Sequence, residues 1–121
     1  MNVREAIRRA DKVLPGSPRS KVRGQRLIDV SVYVDTDPEP VWAFIARWGT
    51  HENKELREVI GYYLLEHLLS HHFDLIFPLV EKLVTENPLF VDTFRASRKM
   101  GQAETPENEA RWDALLERLT G

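Results

Sequence analysis

The chain has 121 residues, of which 42% are hydrophobic and 30% charged, a balance that suits one globular domain and excludes a disordered or fibrous chain. It has no cysteine, which excludes a disulfide framework, a thiolate zinc site, an iron–sulfur cluster and cysteine catalysis. The net charge of −2 hides a division: residues 1–26 carry Arg4, Arg8, Arg9, Lys12, Arg19, Lys21, Arg23 and Arg26 against only Glu5 and Asp11, so the remainder is strongly acidic. No run approaches the roughly 20 apolar residues of a membrane span. The opening Met1-Asn2-Val3-Arg4-Glu5 lacks the apolar stretch of a signal peptide, so the expected location is the cytoplasm, away from membranes.

The division reads as a single domain with a basic N-terminal helix and loop over 1–20 and a helical body over 21–121. Asn2 can cap the first helix, with Glu5 three residues on as in a capping box. Val3, Ile7, Ala10 and Leu14 recur at helical spacing, and Pro15-Gly16-Ser17-Pro18 stops the run. If this helix docks on the acidic body, its cations are largely cancelled there.

Lys21 to Thr36 supports two readings. Ile28, Val30, Val32 and Val34 alternate with Asp29, Ser31 and Tyr33 as in a strand, whereas Leu27, Val30 and Val34, with Val22 and Arg26 one turn earlier, fit a helix. Every later segment reads helical, so a lone strand would leave its backbone groups without partners. Helix is therefore the choice.

Asp37-Pro38 marks a helix start, with Asp37 as cap and Pro38 in the first turn. Val41, Ile45 and Trp48 form its stripe, widened by Trp42 and Phe44, and Gly49 is expected to close it in a left-handed cap. The longest helix runs from Lys54 to Ser70; Leu56, Val59, Ile60, Tyr63, Leu64, Leu68 and Leu69 cover most of its circumference, which places it centrally. Asp74 is the expected cap of the next helix, with Ile76, Leu79, Val80, Leu83 and Val84 inward. Asn87-Pro88 starts another, with Phe90, Val91 and Phe94 inward, ending at Gly101. Thr105-Pro106 starts the last, with a stripe of Trp112, Leu115, Leu116 and Leu119. The fold class is all-α, with six to seven short antiparallel helices in a solenoid fragment or an irregular bundle.

The stretch Lys54-Glu55-Leu56-Arg57-Glu58-Val59-Ile60-Gly61-Tyr62-Tyr63-Leu64-Leu65 resembles the second helix of a HEAT repeat, and Asp37-Pro38-Glu39-Pro40-Val41-Trp42 resembles the first. Pro38 to Leu69 is the best candidate unit and Asp74 to Met100 a second. The resemblance implies a scaffold that binds a protein or, less often, DNA across its face, and it carries no catalytic residue.

No serine stands in a nucleophile elbow, and no glycine-rich phosphate loop is present, so no enzyme and no cofactor are expected. His67, His71 and Asp74 would share one face of a continuous helix and are the candidates for a two-histidine, one-carboxylate metal set. The competing reading leaves these histidines flanking the C-terminus of the long helix, where the dipole favours a cation. Trp42, Trp48, Tyr62 and Tyr63 are the candidate binding anchors, since Trp and Tyr dominate interface hot spots; their alternative is an aromatic core. Arg8, Arg9, Lys21, Arg23 and Arg26 are the candidates for a nucleic-acid face. The functional expectation is a non-catalytic protein-binding module, with nucleic-acid binding as its rival and a homodimer as one possible assembly.

Overall fold

Helix starts in this chain are written into a few local bonds and rings. The computed structural model describes residues 1–15 and 21–120, and among these every regular element is helical. Gly16, Ser17 and Pro18 of the expected loop lie outside the described residues. Helix α1 (Val3–Val13) begins where Asn2 Oδ1 accepts the Glu5 N–H at 2.9 Å, as the capping pattern requires. Helix α2 (Lys21–Ser31) takes the first part of the ambiguous segment, with Leu27 and Val30 inward. The expected helix does not continue to Thr36, because residues 32–36 are turns, and Val34 is buried from there. One turn earlier it is Arg23 that lies inside, and Val22 is exposed.

Helix α3 (Pro38–Trp48) starts at its proline, but the Asp37 side chain makes no capping bond and pairs with Thr36 instead. Gly49 closes it in the right-handed region, not the left-handed one expected. A glycine is needed there because a Cβ would sit 2.6 Å from the Ile45 carbonyl oxygen and 2.7 Å from the Phe90 ring.

Residues 54–71 form one rod of three parts: α4 (Lys54–Ile60), a π turn (Gly61–Leu65) and α5 (Glu66–His71). In the wide turn the Glu66 N–H reaches back to the Gly61 carbonyl, which inserts one extra residue and retards the rotation of side chains beyond it. The rod is central, packed against α2, α3 and the helices that follow.

The rod breaks at His72, one residue before helix α6 (Phe73–Glu86), so Asp74 lies in the first turn and does not cap it. The inward face of α6 is Phe73, Ile76, Phe77, Val80 and Val84; Leu79 is turned outward and Leu83 is only partly covered, contrary to expectation. Helix α7 (Phe90–Arg95) buries Phe90 and Phe94 but ends well before Gly101. Gly101 instead opens a 3-10 turn (Gly101–Glu104), and helix α8 (Pro106–Thr120) closes the chain with Trp112 and Leu115 inward.

The early end of α7 has a cause. The segment after it is drawn onto the rod by polar contacts: Ser97 Oγ donates to the Gly61 carbonyl at 3.2 Å, and the Arg98 N–H to Glu66 Oε1 at 2.9 Å. Arg57 Nη2 meets Asp92 at 2.6 Å at the other end of the same seam. Gln102 then bridges the break at His72, accepting the Phe73 N–H at 2.9 Å and donating to the His71 carbonyl at 2.7 Å. One hydrophobic cluster spans the helices. Its centre is a stack of Phe73 on Phe77 at 4.6 Å, joined by Phe94 and Trp112 at 4.9 Å from each other.

Gly61 faces α7 so closely that a Cβ would overlap the Thr93 carbonyl oxygen, whereas nothing lies within 4 Å of a Cβ placed on Gly24 in α2. Gly61→Ala is therefore expected to destabilise the fold by about 1–3 kcal/mol or more through overpacking. Gly24→Ala should stabilise it by about 0.5–1 kcal/mol through helix propensity. Urea unfolding of the two variants checks the contrast.

Candidate functional site

Helix α6 carries more apolar residues than one face can bury. Its core stripe occupies one side, and on the other Leu75 is 47% exposed and Leu79 38% exposed, with Pro78 exposed between them. Leu75, Leu79 and Leu83 stand four apart, so they form a ridge along the outer surface. A helix apolar on two faces normally has a partner on each.

The ridge borders a groove of about 210 Å³ between α6 and α3, lined by Trp42, Ala46, Leu79, Lys82, Leu83 and Glu86. Trp42 is half-buried and stands edge-on against Phe90 at 5.8 Å, so its indole is held by the core while its outer part faces the groove. Lys82 and Glu86 sit at the rim, 3.9 Å apart on the exposed surface. The arrangement is an apolar floor with an aromatic wall and charges of both signs above it.

The four aromatic candidates do not form one patch. Trp42 belongs to the groove, while Trp48 donates its Nε1–H to Asp11 at 2.7 Å and ties α3 to α1. Arg47 reinforces that tie with contacts of 3.1 and 3.3 Å to the same carboxylate. Tyr62 and Tyr63 lie on the π turn, edge-to-face at 5.3 Å, and Tyr62 is 47% exposed beneath the Arg98 guanidinium at 5.0 Å. The fully buried aromatics are a different set: Phe44, Phe73, Phe77, Phe90 and Phe94.

Arg98 itself clamps Glu66, which is only 1% exposed, through Nη2 at 2.9 Å and Nε at 3.2 Å. The hydrogen bond and the negative charge of Glu66 raise the Arg98 pKa above its ordinary value. Arg57 is equally committed: it is 5% exposed and donates to the His51 and Glu52 carbonyls at 2.8 Å as well as to Asp92. Its Nε is the one buried side-chain polar atom without a partner among the described residues. Held by three carbonyl and carboxylate contacts, it is a staple between the rod and α7.

The basic candidates are divided too. Arg8 and Arg9 are exposed on α1 and share Glu5 at 3.4 and 3.5 Å, and Lys21 is exposed. Arg26 pairs with Asp29 at 3.2 Å. Arg23 is 4% exposed and approaches Glu55 at 3.9 Å, so these five cations do not line a single exposed face. Among the described residues, the ion pair that joins α1 to another helix is made by Asp11, and the cations of α1 are turned outward rather than cancelled on the body.

The histidine set is split by the break at His72. His71 ends α5 and His72 Nε2 donates to the Asp35 carbonyl at 2.7 Å, while Asp74 turns to Arg111 at 3.2 Å. Among the described residues no group of three histidine or carboxylate side chains is gathered as a metal would require. No described helix is long and apolar enough to cross a membrane. No protein-family model matches the chain, and neither a curated protein nor a solved structure matches it.

Leu79, Lys82, Leu83, Glu86, Glu66, Arg98 and Gln102 were not legible as site or seam residues from spacing alone. The available signal was the excess of apolar positions in 73–84 over what one helical face holds. For the seam, Glu66→Ala should cost about 1–3 kcal/mol, because it strips the Arg98 N–H and guanidinium of their acceptor. Thermal unfolding checks this, and Glu66→Gln, which keeps one acceptor, should lose less.

Proposed function

We propose that the chain is a non-catalytic protein-interaction module that binds its partner at the groove between α3 and α6. The observation that carries this reading is the second apolar face of α6, set beside a half-buried Trp42 and rimmed by Lys82 and Glu86. Binding would bury Trp42 and Leu79 as anchors, with Leu75 and Leu83 excluding water around them. The pairing of α3 with the rod, and of α6 with α7, also belongs to this reading as HEAT-like units that present a face to a partner. Both walls are core-anchored helices, so little ordering is needed on association.

Peptides selected from a random display library on the wild-type protein are expected to converge on this groove. Trp42→Ala or Leu79→Asp should weaken them by about 2 kcal/mol or more, roughly thirty-fold in Kd. Peptides that bind both variants as tightly as the wild type would overturn the assignment. Unchanged helical circular dichroism in Leu79→Asp separates loss of a contact from loss of the fold.

A second reading, nucleic-acid binding through α1, is favoured by one observation. Arg4, Arg8 and Lys12 stand four apart, all three are exposed, and Arg9 stands exposed beside Arg8. Anisotropy of a labelled duplex and a labelled single strand, titrated at two salt concentrations, tests it. Steeply salt-dependent binding that is lost in Arg4→Glu/Arg8→Glu is the expected result, and no binding at low salt would remove the reading.

A further inference from the structure

This inference rests on the groove being a protein-binding site and names its occupant. We propose that a second copy of this chain packs there, α6 antiparallel to α6, about a two-fold axis passing near Pro78 and Leu79.

A two-fold interface brings the same patch together from both copies, so the patch must complement itself. The outer face of α6 does. From its N-terminal end it runs Asp74, Leu75, Pro78, Leu79, Lys82, Leu83 and Glu86. Antiparallel alignment centred between Pro78 and Leu79 lays Leu79 against Pro78 and Leu79 of the second copy. Leu75 then falls against Lys82 and Leu83 of the second copy, covering the two leucines that monomeric folding leaves most exposed on this helix.

The charges select the same arrangement. Asp74 stands at one end of the apolar ridge, with its side chain 89% exposed, and Lys82 toward the other, 72% exposed. In the antiparallel pair each Asp74 comes beside Lys82 of the second copy, and His71 comes toward Glu86 of the second copy. A parallel pair would instead set Asp74 on Asp74 and Lys82 on Lys82, which like-charge repulsion disfavours. Neither group is fully committed within its own chain. Asp74 meets Arg111 at 3.2 Å through one oxygen, and Lys82 is 3.9 Å from Glu86.

Pro78 is exposed on this face between Leu75 and Leu79, so its ring adds apolar surface at the axis. Trp42 and Ala46 of α3 flank the ridge and widen the contact toward the roughly 800 Å² per copy that a stable interface buries.

Sedimentation of the full chain from about 5 µM to about 1 mM tests the proposal. The mass should rise with concentration from the 14.1 kDa of one chain toward twice that value. Leu79→Asp should stay monomeric throughout, and Lys82→Glu should weaken association at least tenfold. Adding Asp74→Lys to Lys82→Glu swaps the two charges and should restore association to within about threefold of the wild type. Circular dichroism establishes that each variant is folded. A wild-type protein that remains at 14.1 kDa at the highest concentration, or a dimer untouched by Leu79→Asp, overturns the proposal. If that monomer still binds groove-directed peptides, the reading of the groove stands and only its occupant is wrong.

Discussion

The contact on which the rest of the structure depends is the approach of α7 to Gly61 in the middle of the rod. The Thr93 carbonyl lies where a side chain at 61 would be, so the two backbones meet without any intervening side chain. The wide turn beginning at Gly61 brings Glu66 inward, and its carboxylate then holds Arg98 beyond the end of α7. The same approach places Ser97 on the Gly61 carbonyl and Asp92 on Arg57. With those ends fixed, the chain delivers Gln102 to the break at His72, where it serves a carbonyl of one helix and an N–H of the next. A close backbone contact thus becomes a polar seam, and the seam sets where the last helices begin.

Packing around that seam explains why α6 is left with an unpartnered face. Its inner side is taken by the stack of Phe73 and Phe77, extended by Phe94 and Trp112 from α7 and α8. Arg111 lies over both phenylalanine rings and closes the edge of the stack against solvent. No further helix remains in the described chain to cover Leu75 and Leu79. The groove beside Trp42 lies along this uncovered face.

The charge distribution acquires a different meaning in three dimensions. Among the described residues, the cations of α1 do not pair with the acidic body. Ion pairs between elements are made mainly by cations of the body, with Arg57 on Asp92, Arg98 on Glu66, Lys99 on Asp113 and Arg111 on Asp74. Arg23 is the exception, withdrawn into the interior near Glu55. The outward cations of α1 and the apolar ridge of α6 are therefore separate surfaces, each with its own chemistry.

The sequence by itself determined the helical class and most helix starts. Asn2 and Pro38 act within one turn of themselves, and so does Asn53, whose Oδ1 accepts the Leu56 N–H. It also favoured helix over strand in 21–31, because Leu27 and Val30 share a face and a strand had nothing to pair with, but not the end at Ser31, after which Val34 is buried from a turn. What it left open was everything that depends on a distant residue. The π turn looks like ordinary helix in sequence, and the backbone that meets Gly61 there, at Thr93, lies far along the chain. The end of α7 depends on Glu66, and the outward turn of Leu79 depends on Phe77 winning the place beside Trp112. The histidine set fails for the same reason: Gln102, thirty residues on, stabilises the break that separates His71 from Asp74. Local bonds are encoded by neighbours in the chain, whereas competition for the interior is decided only when all the helices are present.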